Sequence, residues 1–160
     1  GNVTPSANIT YNLGSTTARW LNVWGTTFNG TATTAQYADL AEIYTSDHIY
    51  PSGTVVTLGG TKEITQSTTD HDTRIAGVIS DKPAYLMNSE SEGLPVALLG
   101  RVPCFVTGTI AKGDRLVSSS KPGHAQKLNS DLYEPGCIVG KALEDFSGES
   151  GQIEILVGRT

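Results

Sequence analysis

The sequence predicts an all-β protein in two parts: a short intertwined stem that several copies build together, and a compact β-barrel or sandwich-like head. Three observations carry this. Ser and Thr (14 and 20 residues) with 18 Gly take the place of charged side chains, which fall to 17% against a usual ~25%, and β-branched residues and glycine suit strands and turns. Short apolar or alternating runs separated by turn signals fill the chain from about Tyr50 onward, in the manner of a small barrel or sandwich. Finally, the first 36 residues carry Arg19 as their sole ionisable side chain, while the rest of the 160-residue chain holds ten basic and all sixteen acidic ones.

That first segment, residues 1–36, is rich in Thr, Asn and Gly and too poor in apolar groups to form a core alone. A solvated segment is normally charged. Ile9, Tyr11, Leu13, Trp20, Leu21, Val23, Trp24 and Phe28 instead call for burial, which identical chains around an axis supply. Lack of charge fits such an axis, since an ionised group repeated around it would repel itself. We therefore expect a homo-oligomer with Trp20, Leu21, Val23, Trp24 and Phe28 at its interface.

Residues 34–44 are the one helical candidate, with Tyr37, Leu40, Ala41 and Tyr44 at i, i+3, i+4 and i+7, although the same stretch can run extended. The remainder, residues 37–160, reads as the head. Residues 53–58 and 62–66 form an expected hairpin, because Gly59-Gly60 can adopt the positive φ of a tight turn. Further strands are expected at 74–80, 95–99, 102–107, 115–118, 125–128, 137–143 and 152–157.

Composition excludes several functions. A net charge of −5 without a basic stripe argues against nucleic acid as a partner. No apolar run nears the ~20 residues of a membrane span and no signal-peptide pattern opens the sequence, so a soluble chain without an export signal is expected. Cys104 and Cys137 lack metal or redox spacing and read as small buried hydrophobes. His48, His71 and His124 are scattered, and Asp70-His71-Asp72 lies in a turn-rich stretch; no metal or cofactor is expected. Gly136-Cys-Ile-Val-Gly140-Lys141 is one residue short of a phosphate loop and is followed by Ala142 instead of a hydroxyl. One acidic pair stands out, Asp39 and Glu42, which on a helix would share a face where crowding could raise one pKa enough for an acid, although spacing alone favours a capping or solvated pair.

The stretch Asn12-Leu-Gly-Ser-Thr-Thr-Ala-Arg19-Trp20-Leu-Asn-Val-Trp24-Gly-Thr-Thr-Phe28-Asn-Gly-Thr-Ala32 resembles a motif of bacteriophage tail-fibre proteins, in which three chains wind together. Tyr37-Ala-Asp-Leu-Ala-Glu42, Pro51-Ser-Gly-Thr-Val-Val56, Asp72-Thr-Arg-Ile-Ala-Gly-Val-Ile79, Pro83-Ala-Tyr-Leu-Met-Asn88, Gly100-Arg-Val-Pro-Cys104, Lys112-Gly-Asp114 and Ile138-Val-Gly-Lys-Ala-Leu-Glu-Asp145 look like the terminal β domain that follows such repeats. That domain family neighbours the self-cleaving C-terminal domains of phage appendages, which assist trimer assembly and detach. There an acidic residue near the domain start cuts the chain, and by similarity Asp39 or Glu42 is the candidate. The Ser-Asp-x-x-x-Lys-type start of the other tail-spike chaperones is missing.

The resemblance makes the expected homo-oligomer a homotrimer and implies the distal part of a trimeric tail fibre: a structural virion protein, made in the host cytoplasm, with other tail proteins and a bacterial cell-surface glycan or protein receptor as partners. The expected chemistry is none on external substrates, hence no enzyme. The alternative is an autoproteolytic intramolecular chaperone cutting itself once through Asp39 or Glu42.

Overall fold

A computed structural model describes residues 3–27 and 38–158. The chain divides into two compact units, Gly1–Thr33 and Thr34–Thr160. The expected boundary between Gln36 and Tyr37, and Phe28 with it, lie outside the described residues.

In the first unit, residues 3–27 form bends and turns without strand or helix, and each is exposed. Its one well-knit turn joins Ser15 and Ala18: the Ser15 N–H donates to the Ala18 carbonyl at 2.8 Å, and the Ser15 hydroxyl accepts from the Ala18 N–H at 3.0 Å. Tyr11, Leu13 and the two tryptophans stand in solvent in the single chain.

The second unit is all-β, as the sequence predicts, with no α-helix among the described residues. Its strands are β1 (Asp39–Tyr44), β2 (Val55–Leu58), β3 (Ile64–Gln66), β4 (Ile75–Ile79), β5 (Tyr85–Met87), β6 (Leu94–Ile110), β7 (Arg115–Ser118), β8 (Ala125–Lys127), β9 (Ile138–Ala142) and β10 (Phe146–Val157). Pairing runs β6–β8–β7–β9–β10 and back from β10 to β6, so five strands close on themselves. Only β6–β8 in this ring is parallel. Closure leaves the ring no free edge, and inward residues such as Val102, Cys104, Leu116, Val139 and Ile155 fill it.

β6 is the axis of the unit. Its second half belongs to the barrel; its first half extends beyond it and takes β4 on one side and β1 on the other. β2 and β3 continue outward from β4, and β5 lies parallel to β1. This second layer has its own core of Val56, Ile64, Ile79 and Val96. At Gly100, which pairs with both Asp39 and Val157, β6 passes between the start of β1 and the end of β10.

Several expected elements form in place. The β2–β3 hairpin pairs Leu58 with Ile64, and Gly59 and Gly60 take φ of 139° and 80°. The two strands expected at 95–99 and 102–107 are one, β6: Gly100 (φ 112°) marks a close approach rather than a break. The helical reading of 34–44 is corrected where it can be seen, since Asp39–Tyr44 is a strand with strict burial alternation.

Candidate functional site

Alternation on β1 decides what the acidic pair can do. Successive strand side chains point to opposite faces, so Asp39, Ala41 and Ile43 are buried while Leu40, Glu42 and Tyr44 are half-buried on the other side. The register slip between β1 and β6 leaves Leu98 of β6 as the additional residue and keeps β1 regular. Three residues apart would mean one face of a helix; on this strand it means opposite faces. Asp39 and Glu42 are therefore not brought together within the chain.

Asp39 occupies the first position of β1, 5% exposed, with its Oδ2 lacking any hydrogen-bond partner among the described residues. A buried polar atom left unpaired costs ~1–3 kcal/mol and asks for a reason. Immediately before it, the exposed Ala38 offers its carbonyl to the Arg101 N–H at 3.2 Å. The next carbonyl, that of Asp39, accepts from the Ala84 N–H at 2.9 Å. Gly100 makes the approach possible: a Cβ there would overlap the Ala38 carbonyl oxygen. The Ala38–Asp39 peptide is thus held from its carbonyl side by backbone and flanked on its nitrogen side by a buried carboxylate.

Glu42 has a different environment. Its Oε2 accepts from the Tyr44 hydroxyl at 2.8 Å, and Tyr44 lines an open cavity of about 300 Å³ with Leu58, Ile75, Leu98 and Leu99.

The other polar groups singled out in the sequence are tied into the scaffold. Asp70 meets His71 Nδ1 at 2.7 Å and accepts from Gln126, whereas Asp72 turns to Arg74, so the two carboxylates serve separate partners. His71 Nε2 accepts from the Asn129 N–H at 3.1 Å, pinning a loop. Cys104 and Cys137 are free and fully buried, and burial pushes the Cys104 thiol far above its ordinary value. In the first unit Trp20, Leu21, Val23 and Trp24 are exposed in the single chain. Sequence alone does not reveal the clamp of Gly100 and Arg101: the pair stands there as a glycine between two apolar runs, within the stretch Gly100-Arg-Val-Pro-Cys104 that carries part of the resemblance.

No curated protein matches the chain. A family described as Peptidase_G2, IMC autoproteolytic cleavage domain, matches residues 2–93, a stretch that contains Ala38, Asp39 and Glu42. IMC denotes an intramolecular chaperone, and such domains end phage tail-fibre proteins, which agrees with the fibre resemblance in its general form. The same finding overturns the expectation that the chain is not an enzyme, because the family cuts its own polypeptide in a single turnover. It also reverses the order of the two functional readings, placing the self-cleaving chaperone ahead of the passive structural tip. With more than half of its length matched, the chain belongs to the Peptidase_G2 family of intramolecular-chaperone autoproteolytic cleavage domains.

Proposed function

We propose that this chain helps three copies of a phage tail fibre assemble through residues 1–36 and then severs itself once, at the Ala38–Asp39 bond, freeing the head of residues 39–160 from the virion-bound fibre. The observation that carries this reading is the buried Asp39 carboxylate, whose Oδ2 has no partner among the described residues, beside a carbonyl already held by the Arg101 N–H.

Hydrolysis needs a proton acceptor for the attacking water, a donor to the developing oxyanion and a proton for the leaving nitrogen. Asp39 is itself the residue whose nitrogen leaves, so its carboxylate is carried next to the bond to be cut. The free Oδ2 takes a proton as water adds to the Ala38 carbonyl carbon. The Arg101 N–H steadies the charge that gathers on the Ala38 oxygen. The C–N bond then breaks as the proton passes to the Asp39 nitrogen, leaving a carboxylate on Ala38 and an amine on Asp39.

A second reading assigns Glu42 to the same reaction from a neighbouring copy, because it faces away from Asp39 on a half-exposed surface. In either version the stem, through Trp20, Leu21, Val23, Trp24 and Phe28, supplies the trimer. Attachment to a cell-surface glycan or protein receptor is then the work of the fibre that remains. Intact-mass spectrometry of a fibre carrying this chain tests the reading: the wild type yields a fragment beginning at Asp39, and Asp39→Asn stays whole. A wild-type fibre that stays whole, or a cut elsewhere, overturns it.

A further inference from the structure

A second reactive arrangement lies in the barrel, outside the residues matched by the family. β10 carries one extra residue between Gly148 and Gly151 where it pairs with β6, and this bulge lifts Ser150 into solvent. The preceding Glu149 carbonyl is fixed by two donors, the Thr107 hydroxyl and the Lys121 ammonium, each at 2.8 Å. Opposite stands His124, carried on the Lys121-Pro-Gly123 turn that leads into β8 and packed against the Phe105 ring at 5.5 Å between centroids.

The hydrogen bonds of His124 fix its tautomer. Nδ1 lies 2.7 Å from the Pro122 carbonyl oxygen, which can only accept, so Nδ1 carries the proton. In the neutral ring Nε2 is then an acceptor, and the Ser150 hydroxyl, 2.8 Å away, donates to it. A hydroxyl within reach of a base that a third group orients is the working arrangement of a nucleophilic serine. Lys121, held on the Glu149 carbonyl, adds a positive charge beside the residue that precedes Ser150.

We propose that Ser150 is a histidine-activated nucleophile and that Ser150 and His124 form a second reactive site, one that takes esters of small carboxylic acids. Ser150 Oγ adds to the ester carbonyl while its proton moves to His124 Nε2. The ester C–O bond breaks, the alcohol leaves with that proton, and the acyl group remains on Ser150. Water, deprotonated in turn by His124, releases the acid and restores the hydroxyl. His124 is catalytic because it exchanges a proton with the reacting oxygen; the Pro122 carbonyl only positions it.

The test is covalent labelling of the full chain with a fluorophosphonate, followed by intact-mass and peptide mass spectrometry, together with the burst of nitrophenol from p-nitrophenyl acetate. One adduct per chain on Ser150 is expected, absent in Ser150→Ala, with His124→Asn labelled at least ~100-fold more slowly, the scale of lost general-base assistance. Circular dichroism melts of both variants establish that they remain folded; both residues lie at the surface end of a turn or bulge, outside either core. A wild type that takes no label, or a His124→Asn variant labelled at the wild-type rate, overturns the proposal and reduces the pair to a pin for the bulge.

Discussion

Asp39 and Glu42 stand on one strand and face opposite sides of it, Asp39 inward with its Oδ2 unpaired among the described residues and Glu42 outward under the Tyr44 hydroxyl. One chain therefore cannot bring both acids to one of its own bonds, and the two separate cleanly in an experiment. A fibre carrying Asp39→Asn should remain a single chain by intact mass. Glu42→Gln should still be cut if the bond is served from within its own chain. Loss of cutting in Glu42→Gln alone, regained in mixed trimers with Asp39→Asn chains, would assign Glu42 to its neighbour's bond.

Gly100 is expected to be intolerant of a side chain. Its φ of 112° costs an alanine ~1–3 kcal/mol, and the added Cβ meets the Ala38 carbonyl oxygen. Gly100→Ala should lower the melting temperature by several degrees and slow self-cleavage by displacing that carbonyl. Gly108→Ala is the control: φ there is 85°, yet a Cβ would meet nothing within 4 Å. It should destabilise without changing the cleavage rate, as thermal melts and cleavage time courses can show.

Acid should weaken the head through Asp72. Its buried carboxylate accepts from Arg74 Nε at 3.0 Å, Arg74 Nη2 at 2.7 Å and the Arg74 backbone N–H at 2.9 Å, and these bonds hold it below its ordinary value. A depressed folded-state value means that the stabilisation is complete above the unfolded value of about 4 and is lost as pH falls through the folded one. The guanidinium is largely exposed and so partly screened; Arg74→Ala should still lower stability at neutral pH. Urea titrations at pH 7 and pH 3 should show the gap between wild type and variant closing in acid.

The stem's tryptophans should report assembly. Trp20 and Trp24 are 64% and 90% exposed in the single chain, and a ring that becomes buried on trimerisation is worth ~3–5 kcal/mol per chain. Light scattering should give three chains per particle, with a blue-shifted Trp emission. Trp24→Ala should lower the melting temperature of the trimer while the head's own transition persists.

Local chemistry made some elements legible. The β2–β3 hairpin follows from a Gly-Gly pair between alternating runs, and β7 from Leu116 and Val117 bounded by turn residues at either end. β6 read as two strands because a glycine within a strand commonly signals an interruption, and nothing near Gly100 in sequence reveals that Asp39 and Val157 both come to it. β10 starts earlier than its apolar pattern, because Phe146–Gly151 pairs with β6 where its residues are mostly exposed and no apolar face is needed. β1 carried two periodicities at once: Tyr37, Leu40, Ala41 and Tyr44 suit a helix, while Asp39, Ala41 and Ile43 suit a strand. Pairing with β6 settled it, and that partner lies far along the chain. The acids were legible as a pair for the same local reason; the face each would take was not.

The length of β6 also sets an order of events. The amide that grips the Ala38 carbonyl belongs to Arg101, which a ribosome adds long after Ala38 and which reaches its place only when β1 has docked beside β6. A head that is unfinished, or whose β1 has slipped in register, lacks that grip. A cut at the proposed Ala38–Asp39 bond would then double as an inspection: the fibres shedding their heads would be those whose heads were correctly made, and a retained head would be a visible mark of faulty manufacture.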